Sequence, residues 1–379
     1  MLSLRMQTKN NNRLSLGDKL KRNIFSIYRK SITKKHELNY LFWECTLRCN
    51  LNCRHCGSDC LKSSGIKDMP LEDFTKVLDS IKSKNTSRNL AVAITGGEPL
   101  LRDDLEKAGL EIIKRGFSWG IVTNGLLLDE SRFRSLRQSG LSSMSVSLDG
   151  LEDEHTYLRR NPKSFATVVN AIDLMAKEHD RNPQGFIFDV ITCVHHGNIS
   201  ILQKLRDFLI QKGVEQWRIF SIFPTGRAVN EDLSLTPEEY RNLMDFIYQT
   251  RTYRNSEGKG IHLNYSCEGY LGTYELKVRD FFFFCRAGIN VGSVMCDGSI
   301  SACLSVRGKD FIQGNVYSDD FMDVWNNRYQ NMRNRSWAKK GKCAKCKSWK
   351  WCNGNGLHLY ESMNVSAAHC NMDMLFDQD

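Results

Sequence analysis

The sequence lacks the features that would place this chain across a membrane or in the secretory pathway. No apolar run reaches the ~18–20 residues needed to span a bilayer, and the N-terminus has no apolar signal-peptide core. Internal repeats, low-complexity segments, a Ser/His/Asp set and a phosphate-binding loop are also missing. We therefore expect a cytoplasmic protein of roughly two to three domains, without serine-hydrolase or P-loop chemistry.

Positive charge is scarce outside the first 36 residues. The net charge is +10, and residues 1–36 hold ten Lys/Arg residues against one acid, so the rest of the chain is nearly neutral. No stripe of aromatic and basic residues continues into that neutral body. Nucleic acid is therefore not an expected partner.

Apolar residues recur at helical spacing within this basic arm and predict an amphipathic helix. The stripe consists of Leu16, Leu20, Ile24, Ile27 and Tyr28. We expect the stripe to pack on the body of the protein while the lysines remain in solvent. The alternative is contact with a membrane surface or an acidic partner, which would make the protein peripheral to a membrane.

Fourteen cysteines require an explanation, because clustered cysteines in a reducing cytosol usually bind metal or carry out chemistry. Three of them form Cys49-x3-Cys53-x2-Cys56, just after an apolar, strand-like run. A closed structural site takes four ligands, whereas a catalytic site keeps one position open. Three thiolates can hold three corners of a cubane iron–sulfur cluster and leave the fourth iron free for a small molecule. A zinc site is the alternative, and it would have three ligands instead of four.

Strand-like and helix-like segments alternate from residue 40, which predicts a parallel sheet with helices outside it. The expected strands are 40–46, 90–95, 119–123, 144–148, 186–194 and 217–223, and the expected helices are 71–82, 103–115, 131–139, 165–178, 201–212 and 236–250. Several strands end in polar or glycine-rich turns, and ligands bind at the carboxyl ends of parallel strands. These turns should therefore face one mouth together with the cysteine loop.

With these motifs in this order, the chain resembles the radical S-adenosylmethionine (radical SAM) enzymes. The loop cysteines match those that hold the family's [4Fe–4S] cluster, whose open iron takes S-adenosylmethionine. The resemblance implies cofactor contacts from Gly96, Gly97, Glu98, Asn124, Ser147, Asp149 and Arg159. It also implies an α/β fold with a partial (β/α)6 TIM-like barrel. The expected activity is reductive cleavage of the cofactor to a 5′-deoxyadenosyl radical, which removes hydrogen from an inert C–H bond.

The C-terminal third resembles the SPASM extension of this family, a small cysteine-rich α+β domain that holds auxiliary iron–sulfur clusters. The resemblance implies one complete ligand set, formed by Cys343, Cys346, Cys352 and Cys370. A second cluster would use Cys285 and Cys303, but Gly356 stands where the family has a further cysteine. Cys267 lies where such proteins often have another ligand, and Cys296 is an additional thiol nearby.

The sequence allows three states of this second auxiliary site. Either Cys296 completes it, or its cluster has an open iron, or no cluster forms, so one or two auxiliary clusters are expected. A zinc ribbon is the alternative for the complete set of four cysteines, because zinc also binds C-x2-C pairs.

Composition and periodicity divide the chain into three segments. Residues 1–38 form the basic arm, residues 39–258 the radical SAM barrel and residues 259–379 the SPASM domain. After about residue 260 the regular periodicity fades and cysteines return.

Three further side chains are candidates for contact with substrate at the barrel mouth. Cys60 follows the cluster loop, His195 follows the fifth strand and Arg227 follows the sixth. The roles they suggest are a redox-active or substrate-contacting thiol, an acid or base, and a substrate contact. Each also has an ordinary explanation, because cysteines are often small buried side chains and turn residues are commonly solvated.

The resemblance implies an enzyme that modifies a peptide or protein side chain, as members with this extension often do. A small molecule or cofactor precursor is the second candidate substrate, and a non-catalytic iron–sulfur electron carrier or scaffold is the third candidate function. Residues 43–60 also look like a branch of the family found beside small lipoproteins. The implied partners are a peptide or protein, such as a small lipoprotein, and an electron donor such as flavodoxin or ferredoxin.

Overall fold

One sheet of ten strands runs through residues 14–85, 89–266 and 269–376, which the computed structural model describes. Its strands are β1 (Tyr40–Thr46), β2 (Ala91–Gly96), β3 (Ser118–Thr123), β4 (Leu141–Ser147), β5 (Ile187–Val194), β6 (Gln216–Ser221), β7 (His262–Tyr265), β8 (Val291–Val294), β9 (Ser299–Ser301) and β10 (Gly314–Asn315). Their order is β10–β9–β8–β1–β2–β3–β4–β5–β6–β7. Strands β1 to β7 are parallel, β8 is parallel to β1, and β9 is antiparallel to β8 and β10.

Helices connect the parallel strands, as the alternating sequence pattern predicts. They are α1 (Leu16–Lys35), α2 (Leu71–Lys84), α3 (Leu105–Lys114), α4 (Glu130–Gln138), α5 (Glu152–Arg159), α6 (Ser164–Arg181), α7 (Leu202–Gln211), α8 (Pro237–Thr252), α9 (Glu275–Val278), α10 (Phe321–Arg328), α11 (Gln330–Arg333), α12 (Trp349–Cys352) and α13 (Asn371–Leu375). The predicted α/β class and partial barrel are confirmed, and the six expected strands are β1 to β6 within a few residues at their ends.

Side chains alternate between the two faces of each strand, and β1 shows which face is which. The Trp43 indole stacks on the Phe74 ring of α2, with centroids 3.9 Å apart, so Trp43 points toward the outer helices. Glu44, the next residue, therefore points into the barrel, and it is buried there.

The sheet curls enough to bring its first strand near its fifth and sixth. Arg218 on β6 donates to Asp189 on β5 at 3.0 Å, and this pair faces Tyr40 on β1. Burial raises the pKa of Tyr40, Arg218 lowers it and Asp189 raises it, so the two charges lie near the Tyr40 hydroxyl. In a flat sheet β1 and β5 would lie about 20 Å apart, because neighbouring strands are about 4.8 Å apart. Strands β7 and β10 remain the two edges of the sheet, so the barrel is partial.

The C-terminal segment continues the barrel sheet instead of folding beside it. Strand β8 pairs with β1 in register from Tyr40 opposite Val291 to Trp43 opposite Val294. At the opposite edge of the sheet, β7 pairs with β6, although β7 lies just beyond residue 258, where the barrel is predicted to end. That domain boundary stays a prediction. None of the helices described is long and apolar enough to cross a bilayer.

The expectation that the apolar stripe of α1 packs on the body is wrong. All five side chains of the stripe are between 54% and 85% exposed. The opposite face makes the contacts instead: buried Arg22 donates to the Gly272 carbonyl at 2.6 Å, and Arg29 donates to the Trp351 carbonyl at 2.8 Å. The body presents carbonyl oxygens and aromatic rings to α1, and these suit guanidinium groups better than aliphatic side chains.

Candidate functional site

The cysteine loop lies at the carboxyl end of β1, where it is packed into the protein. Cys49 and Cys53 are buried together with Leu51 and Cys60, while Cys56 is partly buried against them. The Cys49 amide donates to the Leu61 carbonyl at 2.7 Å, which joins the two ends of the loop. The three predicted cluster thiols therefore share one small pocket.

The environment of these thiols differs from one cysteine to the next. Burial raises the pKa of Cys49 to about 11, and burial also raises the pKa of Cys53 while Arg159 opposes it. The Cys60 backbone amide donates to the Cys56 sulfur at 3.4 Å, and interactions with Cys60 lower the pKa of Cys56. Metal ligation needs thiolates, so Cys60 stabilises the metal-binding form of its neighbour Cys56, a predicted cluster ligand. The predicted role of Cys60 toward substrate stays a prediction.

Glu98 ties the turn after β2 to the turn after β3. Its buried carboxylate accepts hydrogen bonds from the Thr123 hydroxyl at 2.7 Å and from the Asn124 amide at 2.8 Å. The Asn124 side chain donates to Asn50 Oδ1 at 2.8 Å and lies 3.9 Å from the Cys49 sulfur. Two of the predicted cofactor residues, Glu98 and Asn124, therefore meet directly beside the cysteine loop.

The two glycines of the turn after β2 lie against the backbone of the cysteine loop. A Cβ at Gly97 would lie 2.2 Å from the Arg48 carbonyl oxygen, and a Cβ at Gly96 would lie 2.2 Å from that of Thr46. A contact this close is available only without a side chain. The glycines thus allow the turn to pack directly against the cysteine loop.

Asp149 and Arg159 form a buried ion pair on the other side of the loop, 2.6 Å apart. Arg159 also donates to the Cys53 sulfur at 3.7 Å, and the Cys193 amide donates to Asp149 at 2.9 Å. Burial alone would raise the pKa of Asp149, but Arg159 and nearby imidazoles lower it to about 2. Ser147, the last residue of β4, is partly buried two positions before this aspartate.

The imidazoles of His195, which is buried, and His55, which is partly buried, lie near this ion pair. Burial lowers the pKa of His195 to about 4, and its Nδ1 accepts from the Gly197 amide at 3.1 Å. His55, inside the cysteine motif, was missed by sequence reasoning, and burial lowers its pKa to about 3. His195 Nε2 and His55 Nδ1 have no hydrogen-bond partner among the described residues. The role of His195 as an acid or base stays a prediction.

Arg227 holds the cysteine loop from the turn after β6. Its guanidinium donates to the Cys53 carbonyl at 2.8 Å and to the Cys60 carbonyl at 3.0 Å, and it pairs with Asp59 at 2.7 Å. Its backbone amide donates to the Cys56 carbonyl at 3.1 Å. The structure therefore gives Arg227 a positioning contact, while its predicted contact with substrate stays a prediction.

The C-terminal cysteines fall into groups. Cys343, Cys346, Cys352 and Cys370 lie close enough that, besides burial, neighbouring thiolates raise the pKa of two of them, Cys343 and Cys352. Burial, together with Cys370 and Cys343, raises the pKa of Cys352 to about 12. Burial and Cys285 likewise raise the pKa of Cys303.

Cys296 lies apart from these groups, among residues that border the barrel. Its sulfur contacts the Lys67 carbonyl at 3.5 Å, and Cys45 is the thiol that it influences. Cys267 lies outside the described residues. Both remain predicted ligands for the second auxiliary site.

A contact between the two halves of the chain was also missed from the sequence. Arg307 donates to the carboxylate of Glu44 and to the Ser58 hydroxyl, the latter at 2.7 Å. Glu44 gives a usable signal, because it is a lone acid in the apolar strand β1. Arg307 gives none, since only the fold brings it to the cysteine loop.

These residues fit the cluster and cofactor that the resemblance implies. Three thiols share one loop, two of them buried and one partly buried, and an amide and a guanidinium lie near two of the sulfurs. Polar atoms without a partner among the described residues surround the site: Asn50 Nδ2, His55 Nδ1 and His195 Nε2. Buried polar groups usually have hydrogen-bond partners, so this site has the donors and acceptors for a polar ligand.

Comparison with known proteins gives the same assignment for both halves of the chain. The radical SAM superfamily matches residues 43–209, and the SPASM iron–sulfur cluster-binding domain matches residues 285–347. Mycofactocin maturase MftC of Mycolicibacterium smegmatis is 28% identical over 83% of this chain and 76% of its own length. Fe-coproporphyrin III synthase of Methanosarcina barkeri is 26% identical over 83% of this chain and 82% of its own length. Streptococcus suis SuiB, solved with its precursor peptide SuiA, is 19% identical, covers 96% of this chain and 84% of its own, and has a TM-score of 0.68.

Proposed function

Since the chain is a radical SAM enzyme with a C-terminal SPASM domain, we propose that it abstracts hydrogen from a side chain of a peptide or protein and thereby modifies it after translation. The enzyme uses a [4Fe–4S] cluster with an open iron for S-adenosylmethionine, together with auxiliary iron–sulfur clusters. The bound cluster supplies the electron that cleaves the cofactor to a 5′-deoxyadenosyl radical. The chain itself orients the cofactor and excludes water from the reacting atoms.

Each group of residues at the site has a separate part in this task. Cys49, Cys53 and Cys56 would hold the cluster, and Arg227 fixes the carbonyls of the loop between them. Glu98 keeps the turns after β2 and β3 in place, and the remaining lone pair of its Oε2 suits an ammonium group. Burial keeps the nearby imidazoles neutral, so they can accept or donate hydrogen bonds without adding charge.

The observation that carries the proposal is the open edge of the barrel. The sheet ends at β7 on one side and at β10 on the other. Its interior is polar, with Glu44, Asp189 and Arg218 on the inner face. We infer that an extended chain enters at this unclosed side of the sheet and meets the polar inner face. The printed names of MftC, a maturase, and of SuiB with its precursor peptide agree with a peptide substrate.

A small-molecule substrate is the second candidate, and the comparisons support it directly. One relative is named Fe-coproporphyrin III synthase and others are named AdoMet-dependent heme synthase. The partly exposed Arg218, which pairs with Asp189 on the inner face, would suit a ligand with carboxylate groups. A tetrapyrrole precursor is therefore the substrate class that this candidate names.

The proposed partners complete this function. A peptide or protein would be the substrate, with a small lipoprotein as one form of it, and flavodoxin or ferredoxin would supply electrons. The basic arm would bring the enzyme to a membrane surface.

The proposal is tested by finding where the abstracted hydrogen comes from. The reconstituted enzyme is incubated anaerobically with S-adenosylmethionine, a reductant and a deuterium-labelled cell extract, which is divided by size into macromolecules and small molecules. Deuterium in 5′-deoxyadenosine from the macromolecular fraction, lost after protease treatment, supports a peptide substrate. Deuterium from the small-molecule fraction, or turnover with Fe-coproporphyrin III, favours the second candidate.

Cysteine variants show that the signal comes from the loop cluster. Cys53→Ala should form no 5′-deoxyadenosine, because it removes one of the three loop ligands. Cys45→Ala is the matched control, since this neighbouring thiol is fully buried outside the motif and should leave product formation in place. Product from the Cys53→Ala enzyme would contradict the assignment of the loop.

A further inference from the structure

We propose that α1 is a membrane-docking helix whose outward face binds the surface of a bilayer that contains anionic lipids. The inference deepens the proposed membrane contact of the arm and rests on that part of the proposed function. It follows from how α1 is attached to the body, from what its free face consists of, and from where its charges lie.

The attachment of α1 uses one face of the helix and fixes its rotation. The Arg22 guanidinium donates to the Gly272 carbonyl at 2.6 Å and lies 4.9 Å from the centroid of the Phe282 ring. One turn further along, the Phe25 ring lies 5.4 Å from that of Phe282. Arg29 donates to the carbonyls of Trp351 and Lys350 at 2.8 Å and 3.0 Å. The helix therefore cannot roll to bury its other face without breaking these contacts.

The opposite face carries the apolar stripe. Leu20 lies two residues before Arg22, and Ile27 lies two residues before Arg29, which places each about 200° around the helix from its arginine. Together with Leu16, Ile24 and Tyr28 they leave a continuous apolar surface three turns long in solvent. Isolated exposed apolar residues are ordinary, but an aligned stripe of this kind marks an interaction surface.

The charges of α1 define what this surface can bind. Its lysines are all exposed, and none forms an ion pair within the described part of the chain: Lys19, Lys21, Lys30, Lys34 and Lys35. The single acid of the helix, Asp18, accepts a hydrogen bond from the N-cap Ser15 at 2.7 Å. The free face is thus apolar at its centre and cationic along its flanks.

An anionic bilayer is the occupant that satisfies both features. Aliphatic side chains can enter the boundary between headgroups and acyl chains, while the flanking lysines meet lipid phosphates. A second copy of α1 would cover the stripe equally well, but it would bring two sets of lysines together. The helix is too polar to cross the membrane, so it would lie in the plane of the surface.

The test is co-sedimentation of the full-length protein with lipid vesicles. We expect binding to vesicles of phosphatidylcholine and phosphatidylglycerol in equal parts, weakening as salt is added, and little binding to pure phosphatidylcholine. The variant Leu20→Gln/Ile24→Gln/Ile27→Gln should bind the anionic vesicles at least about tenfold more weakly, because it removes the apolar contact. Glutamine is a good helix former, so α1 should remain folded.

A matched control comes from another exposed apolar pair. Leu110→Gln/Ile113→Gln changes α3, where both side chains are also exposed, and should bind vesicles as the parent does. Equal binding to neutral and anionic vesicles, no binding to either, or a protein dimer that only the α1 variant abolishes would each overturn the inference. An enzyme that forms 5′-deoxyadenosine but binds no vesicles would refute the docking role alone and leave the radical chemistry intact.

Discussion

Replacing Arg227 with alanine should loosen the loop that holds the catalytic cluster. The guanidinium donates to the carbonyls of Cys53 and Cys60 at 2.8 Å and 3.0 Å, and it pairs with Asp59 at 2.7 Å. The bond from its backbone amide to Cys56 would survive the substitution. The variant therefore removes the side-chain clamp and keeps the turn that carries it.

The size of the effect follows from these contacts. A hydrogen bond from a charged donor contributes ~1.5–3 kcal/mol, and two such bonds end on loop carbonyls. Asp59 is largely exposed, so its ion pair adds little. Because water can replace part of what is lost, we expect the loop to be destabilised by about 2–3 kcal/mol, which corresponds to about 30- to 160-fold more frequent opening.

The assay is the decay of 5′-deoxyadenosine formation after the reconstituted enzyme is mixed with an iron chelator. Product formation requires the loop cluster, so its decay reports that cluster even while auxiliary iron remains. Decay in the Arg227→Ala enzyme should be faster by up to about 30- to 160-fold, the expected increase in loop opening. Arg227→Lys should recover part of the loss, because lysine donates to a carbonyl but cannot reach two in a fixed fork.

Arg251 provides a matched control. Its side chain is 17% exposed against 15% for Arg227, and it likewise donates to a carbonyl, that of Leu263, and pairs with an aspartate, Asp280. Arg251→Ala should lower the melting temperature without accelerating the decay. If Arg227→Ala lowers the melting temperature by a similar amount and decays as slowly as this control, the clamp has no local role and the reasoning fails.

Gly97→Ala should weaken S-adenosylmethionine binding by about 5- to 160-fold in a titration, because its Cβ would lie 2.2 Å from the Arg48 oxygen and overpacking costs ~1–3 kcal/mol. The sequence made Cys296 a predicted ligand, but its contact with the Lys67 carbonyl favours a place outside the cluster. Cys296→Ala should therefore keep the iron content of the parent, whereas Cys303→Ala should lower it in a colorimetric assay. Acid should remove the stabilisation from Asp280. Burial alone would raise its pKa, but hydrogen bonds from basic neighbours lower it to about 2. Its contribution is therefore complete above an unfolded pKa near ~3.9 and is lost as pH falls toward 2.

Each of these predictions has a control or a contrary result. Gly65→Ala should bind S-adenosylmethionine normally, since a Cβ there meets no atom within 4 Å. Loss of iron from Cys296→Ala would show that this thiol is a cluster ligand after all. Asp280→Asn should flatten the acid limb of unfolding free energy against pH, and an unchanged slope in that variant would assign the acid sensitivity to other carboxylates.

Much of the fold was predictable because its signals are local. Strand and helix periodicities each span a few residues, and they indicated β1 to β6 and the helices α2, α3, α4, α6 and α7 between them correctly. Helix α5 was not expected, because it is short and directly follows a turn. The attachment of β8 to β1 was also not predictable, since pairing between strands about 250 residues apart leaves no mark in either strand.

The expected chemistry of the cysteine loop follows from residues that are neighbours in the chain. Cys49, Cys53 and Cys56 are close in the chain, so their spacing alone limits them to three ligands on one short loop. The glycines after β2 and the acid after them are likewise a local motif. Such patterns survive any arrangement of the rest of the molecule, and the comparisons agree with the family that they indicate.

The contacts between side chains that are far apart in the chain depend on how the whole molecule packs. Arg227 binds the cysteine loop, Arg307 reaches Glu44 on the first strand, and Cys296 borders the barrel. The apolar stripe of α1 faces solvent, because Arg22 and Arg29 find acceptors and aromatic rings on the body. A hydrophobic pattern shows which face of a helix is apolar, but which face is buried depends on the surface that the rest of the chain presents to it.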